Sequence, residues 1–200
     1  MLKEIRPAIV LLVALALITG LIYPLALTAI ASAVFPHQAQ GSLIEQNGKV
    51  IGSALIGQVF TDDKHFHGRP SATMAPDPKD PSKTVDAPYN AANSGGSNMG
   101  PTSKALAERL KGDVGRLQKE NPSQTVPIDL VTTSGSGLDP DISPEAARFQ
   151  ALRIAKARGL PESRVQALVD NQIEGRTFGL LGEPRINVLK LNLALDKLRS

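Results

Sequence analysis

The sequence predicts an α+β protein, with a single N-terminal transmembrane helix followed by one soluble domain holding a small sheet and about four helices. Three observations carry this. Pro7 to Phe35 contains no charged residue, and about 20 apolar residues suffice to cross a hydrocarbon core of about 30 Å. Short β-branched runs bounded by turn residues occur at Val50-Ile51 and at Val126 to Thr133, which is the pattern of short strands. Farther on, leucine and valine recur at helical spacing in segment after segment.

The apolar run exceeds the minimum for a span and crosses by tilting, with Pro24 expected to kink or loosen it near its middle. Lys3 and Arg6 precede the run, and neither Lys nor Arg occurs from Pro36 to Asn47. The positive-inside rule then places residues 1–6 in the cytoplasm, 7–35 across the membrane and 36–200 outside, which in a bacterium means the inner membrane and the periplasm. A cleaved signal peptide is the rival reading, since Ala31-Ser32-Ala33 resembles a cleavage site, but the run is longer than the usual h-region. The chain has no cysteine, which suits an oxidising compartment and excludes a lipid-anchored lipoprotein. Ala16 with Gly20 and Ala29 with Ala33 form small-xxx-small pairs that let a partner helix approach.

The net charge is only +3 and the sequence has few aromatic residues, so nucleic-acid binding has little support. Fifteen prolines and seventeen glycines predict many turns. Gly41 to Phe60 is expected to form two short strands joined near Gly52. Thr61 to Pro101 carries proline repeatedly and no hydrophobic period, which suits a functional or disordered loop, with disorder expected at Asp77 to Asp86. Within it, Asn90 to Gly100 is rich in residues that accept left-handed backbone. It reads either as the loop leading into a helix or as a surface that touches a partner or ligand.

A helix follows, with Leu106, Leu110, Val114 and Leu117 on one face and Thr102 or Ser103 as its cap. It ends near Asn121-Pro122. Val126 to Thr133 is the best strand candidate. Ser143, Pro144 and Glu145 then start a helix that stops at Gly159, and Leu160-Pro161 opens another, with Val165, Leu168 and Val169 inward. Gly175 to Gly182 is turn-rich. Asn187 caps a last helix to about Leu198. The alternation of Leu189, Leu191, Leu193 and Leu195 also suits a strand, and helix is favoured.

Chemical motifs are sparse. His65 and His67 with Asp62 and Asp63 offer ligands, but zinc wants three or four fixed ones, and solvated or hydrogen-bonded histidines are the simpler reading. No metal site is expected. Ser134-Gly-Ser-Gly137 lacks the G-x-S-x-G pattern. Gly48-Lys49 has the wrong spacing for a phosphate loop, and Asp80 to Thr84 reads as loop. Ser94-Gly-Gly-Ser97 faintly resembles an ABC-transporter signature without its helix context. No catalytic residue is expected; a membrane-anchored periplasmic hydrolase is the alternative from another class.

Six stretches together resemble one family: Gly52 to Phe60 (GSALIGQVF), Arg69 to Ala72 (RPSA), Ser94 to Thr102 (SGGSNMGPT), Pro127 to Gln150 (PIDLVTTSGSGLDPDISPEAARFQ), Ala157 to Gly159 (ARG) and Leu181 to Asp196 (LGEPRINVLKLNLALD). This pattern is similar to the C subunit of the Kdp-type potassium-transporting P-type ATPase of bacteria. The resemblance implies a non-catalytic accessory subunit of a high-affinity potassium uptake pump. Its partners would be a channel-like A subunit that conducts potassium, a B subunit that carries the phosphorylated aspartate and hydrolyses ATP, and a small F subunit. No cofactor would be covalently bound; potassium is transported and ATP used by the complex. The C subunit is described as needed for assembly and as raising the nucleotide affinity of the B subunit, so ATP binding is often attributed to it. A periplasmic domain cannot touch a cytoplasmic ATP site, and any such effect would be coupling through the membrane subunits. The expected contact residues are Ala16, Gly20, Ala29 and Ala33 in the helix, Arg69, and Ser94, Gly95, Gly96, Asn98, Ser134, Asp139 and Asp141 in two loops, Ser94 to Gly100 and Ser134 to Asp141, over the outer mouth of the A subunit. Asp139 and Asp141 are expected to concentrate potassium there.

Overall fold

The structure is a computed structural model that describes residues 2–198, for Leu2 the main chain alone. It divides into two units, 1–51 and 52–200.

In the first unit a helix runs from α1 (Leu2–Leu17) through a π-helical turn (Ile18–Ile22) into α2 (Tyr23–Val34). Lys3 to Val34 is apolar and long enough to cross a membrane, and at 1.5 Å per residue it exceeds a core of about 30 Å. Its large apolar side chains are exposed all round. The irregularity expected at Pro24 is a π-turn just before it, which leaves Pro24 in the first turn of α2, where its missing N–H is tolerated. A short α3 (Pro36–Ala39) follows. Then β1 (Leu43–Gln46) pairs with β2 (Lys49–Ser53). The turn between them is Asn47-Gly48, both at positive φ, a pair suited to two-residue hairpins. The turn expected near Gly52 therefore lies four residues earlier.

The second unit is built around α5 (Pro144–Arg158). Its start follows the sequence chemistry: the Ser143 hydroxyl accepts from the Ala146 N–H, Pro144 and Glu145 occupy the first turn, and Gly159 closes the end. The helix buries Ala146, Ala147, Phe149, Gln150, Ala151, Ile154 and Ala155. Such wrap-around burial marks a central helix rather than an amphipathic surface one. Against it lie α4 (Lys104–Glu120, capped by Ser103), α6 (Glu162–Asn171) and α7 (Val188–Asp196, capped by Asn187). Leu117, Val165, Val169, Leu191 and Leu195 are buried, as their spacing predicts, whereas Val114 is exposed. The leucine alternation near the C-terminus is thus resolved as a helix.

Two expectations are corrected. Val126 to Thr133 is not a strand: Ile128–Leu130 forms a single 3-10 turn. Leu130 and Val131 are both buried while Ile128 is 74% exposed, which an alternating strand does not allow. The Arg109 guanidinium donates to the Val131 carbonyl at 3.1 Å, and the Thr132 hydroxyl to the Ile128 carbonyl at 2.8 Å. Side chains thus take the place of a neighbouring strand. Asp77 to Asp86 is not disordered: β3 (Met74–Pro76) and β4 (Thr84–Asp86) form an antiparallel hairpin. Its tip is closed by Asp77 and Asp80, which accept the Lys79 and Ser82 N–H groups. The small sheet is in fact three two-stranded ribbons, the last pairing β5 (Asp141–Ile142) with β6 (Ile186–Asn187).

Buried amides do much of the work that a larger sheet would do. Asn192 accepts from the Phe66 N–H at 2.8 Å and donates to its carbonyl at 3.0 Å. Gln150 does the same for His67, at 2.8 and 3.1 Å. Two helix side chains thereby imitate a strand's ladder and hold the fully buried Phe66 in the core.

Candidate functional site

The loops singled out by sequence come together in the second unit. The Gly95 N–H and the Ser94 hydroxyl both donate to the Ser136 carbonyl, at 2.9 Å each. Ser97 and Thr133 hydroxyls lie 3.3 Å apart. Ser134 is buried and its hydroxyl accepts from the Gly137 N–H at 2.8 Å. Gly96 lies against Gly135, and Asn98 is exposed with φ 50°.

Residues that the sequence reading passed over fix this pair of loops. The Ser71 hydroxyl donates to the Gly137 carbonyl at 2.7 Å and accepts from the Tyr89 N–H at 3.0 Å. The Thr73 hydroxyl donates to the Ala87 carbonyl at 2.6 Å and accepts from the Asn90 N–H at 3.1 Å. The Tyr89 hydroxyl donates to the Arg69 carbonyl at 2.7 Å, and burial, with Asp139 nearby, pushes its pKa up to about 12. Hydroxyls recurring in a proline-rich stretch with no hydrophobic period were the available signal, since such side chains bond nearby main chain where no regular ladder forms.

Glycine is required at two places. Gly137 has φ 67°, and a Cβ there would lie 2.6 Å from the Gly95 carbonyl oxygen. A Cβ on Gly57 would lie 2.6 Å from the Asp139 carbonyl oxygen and collide with the Tyr89 ring.

Arg69 pairs with Asp139 at 2.9 Å and also donates to the Thr133 carbonyl at 3.3 Å. Asp141 pairs with Arg185 at 3.2 Å and accepts from the Asn187 amide at 3.3 Å. Burial raises the Asp141 carboxyl, with Arg185 and Asn187 pulling it back. These four charged residues border a groove of about 600 Å³ that Asp129 and Glu145 also line. Asp129 is engaged at the start of α5, accepting from the Ser143 N–H at 2.7 Å. A guanidinium thus lies beside each of Asp139 and Asp141, while Asp129, Glu145 and Glu183 add three further carboxylates to the same groove.

The rings of His65 and His67 are occupied by hydrogen bonds. His65 Nδ1 lies 2.8 Å from Asp62 and Nε2 3.2 Å from Asp196. His67 Nε2 lies 2.8 Å from the Asp62 carbonyl. The hydrogen bond to His65 holds the Asp62 carboxyl below its ordinary value. Burial, then the Arg153 charge, push His67 down. Among the described residues no group of three or more His, Cys, Asp or Glu is arranged to hold a metal. Ala16, Gly20, Ala29 and Ala33 lie exposed on the apolar helix of the first unit.

Opposite in character is the hairpin between the Glu174–Arg185 and Thr177–Leu181 bridges. Its tip exposes Phe178 (90%), Leu180 (80%) and Leu181 (63%).

Comparison with known proteins assigns the chain. The profile of the KdpC family, described as the K+-transporting ATPase c chain, matches residues 5–197. A potassium-transporting ATPase KdpC subunit from Bradyrhizobium diazoefficiens is 73% identical over 197 residues, covering 98% of each chain. Subunits of the same name from Rhodopseudomonas palustris strain BisB18 and Methylobacterium nodulans are 72% and 69% identical, over 98% and 99% of this chain and 98% of each relative. The chain therefore belongs to the KdpC family of potassium-transporting ATPase subunits.

Proposed function

We propose that this chain is the non-catalytic accessory subunit of a high-affinity, ATP-driven potassium uptake pump. It is held in the bacterial inner membrane by its one apolar helix, with the N-terminus cytoplasmic and residues 36–200 periplasmic. It assembles with a channel-like A subunit, a P-type ATPase B subunit and a small F subunit, stabilises that complex, and raises the nucleotide affinity of the B subunit by coupling through the membrane. ATP hydrolysis and potassium conduction belong to the partners.

The observation that carries this reading is the interlocking of Ser94 to Ser97 with Ser134 to Asp139. Their polar groups are turned on one another and on Ser71, which makes a preformed surface suited to docking. The hydroxyl of Ser134 is engaged with main chain, and the imidazoles of His65 and His67 bind Asp62 and Asp196. Those contacts favour an interaction surface over a serine hydrolase, which needs a base beside its nucleophile. Arg69, Ser94, Gly95, Gly96, Asn98, Ser134, Asp139 and Asp141 remain the proposed contact set, with Ala16, Gly20, Ala29 and Ala33 in the membrane.

The test is purification of the tagged chain from potassium-limited cells in mild detergent, with potassium-stimulated ATPase activity as readout. Co-purification of a channel-like subunit and a P-type ATPase supports the proposal. Recovery alone from cross-linked membranes overturns it and favours the hydrolase. Because the chain lacks cysteine, a Lys83→Cys variant reports orientation directly: an impermeant maleimide labels it in intact spheroplasts if the domain is periplasmic.

A further inference from the structure

The apolar helix carries a polar defect at its centre. In a regular α-helix the Thr19 carbonyl accepts from the N–H four residues on, which is Tyr23. Here the Tyr23 N–H is turned instead to the Ile18 carbonyl. The next residue is Pro24, which has no N–H to offer. The Thr19 carbonyl is thus left without a main-chain donor in its own helix. The Gly20 carbonyl loses its regular donor as well, because its partner four residues on is that same proline. The Thr19 hydroxyl cannot fold back to help, since it already donates to the Leu15 carbonyl at 2.7 Å. Beside these carbonyls Gly20 has no side chain, and the space where a Cβ would stand is open.

In hydrocarbon nothing in the lipid tails donates a hydrogen bond. Main-chain groups freed at a proline are satisfied there by neighbouring helices, side chains or ordered water. π-turns are frequent at functional positions. We propose that the π-turn Ile18–Ile22 is a socket for a hydrogen-bond donor, a Ser, Thr, Asn or Gln side chain, carried by a transmembrane helix of a partner subunit that approaches over Gly20. A second copy of this chain is the poorer occupant, because the hydroxyl it would bring at the same depth, Thr19, is already engaged. The inference rests on the proposed membership of a membrane complex and names where that complex grips this helix.

The experiment co-expresses the full chain with its partner subunits and compares Gly20→Leu, Pro24→Ala and, as a control away from the socket, Ala14→Leu, with membrane levels of each measured first. Gly20→Leu blocks approach, and retention in the detergent-solubilised complex is expected to fall roughly tenfold, the scale of one interhelical hydrogen bond with its packing. Pro24→Ala restores an N–H and straightens the isolated helix, yet is expected to lower retention about threefold because the socket closes. Ala14→Leu is expected to behave as wild type, and a photo-reactive residue at Leu17 to cross-link to a partner subunit. Retention of both socket variants at the wild-type level overturns the inference, as does cross-linking only to a second copy. A fall for Gly20→Leu with none for Pro24→Ala overturns the hydrogen bond and leaves packing alone. A wild-type chain that recruits no partner removes the proposed function and the socket together.

Discussion

Around Gly137, the hydroxyls of Ser71, Thr73, Tyr89 and Ser134 face inward and bind main-chain groups of neighbouring loops. Around Gly179, main-chain bonds between Thr177 and Leu181 close a hairpin, and Phe178 and Leu180 face outward. Both stretches read alike in sequence, as glycine-rich turns. Their difference lies in which part of the residue does the holding. Where side chains hold the loop, the polar residues are structural and the outer face is free to be shaped. Where main chain holds it, the side chains are released, and here they are apolar. Phe178 also sits at φ 55°, a conformation that costs a large side chain energy and persists where the surroundings over-determine it.

Substitutions sharpen this contrast. The largest effect is expected from Gly137→Val, which combines a left-handed backbone with a collision against Gly95; about 3–5 kcal/mol of stability should be lost, measured by urea unfolding of the purified chain in detergent. Ser71→Ala removes the central hydroxyl between Gly137 and Tyr89 and should cost about 1–3 kcal/mol. Arg69→Gln leaves Asp139 without its partner and should cost about 1–2 kcal/mol. Phe178→Ser is expected to leave stability within about 0.5 kcal/mol while weakening association with partners or detergent. An unfolding midpoint lowered as much as by Ser71→Ala would show that the tip is held by its side chains after all.

The smallest effect is on pH dependence. His67 has its pKa lowered from 6.5 by burial and by Arg153, so the unfolded chain binds that proton more readily than the folded one. Stability is then complete above about pH 6.5 and falls as pH drops below it. His67→Gln should flatten that acid-side slope in unfolding curves recorded at several pH values.

The elements legible in sequence were those set by local chemistry. Ser103, Ser143 and Asn187 cap helices as their positions require, and the charge-free run is a helix of spanning length. Val126 to Thr133 was misread because its β-branched residues signal a strand only if a partner strand exists. Here Arg109 and Asp129 tie the segment to helices instead. The β3–β4 hairpin was missed because proline and charge mask a three-residue pairing. Of the candidate site, the two loops were found from their composition. The hub formed by Ser71, Thr73 and Tyr89 was not, because its partners lie as far as 66 residues away along the chain.

The amide clamps at Phe66 and His67 bear on when the chain can fold. Asn192 reaches Phe66 across 126 residues, and Gln150 reaches His67 across 83. Contacts of such separation form late. A ribosome-bound or partly exported chain that ends short of Val188 has no donor or acceptor for the Phe66 main chain, so its middle segment must stay open until the last helix arrives. Closure of this domain is therefore expected to wait until α7 has emerged, and a chaperone that shields the stretch around Phe66 until then would raise its yield.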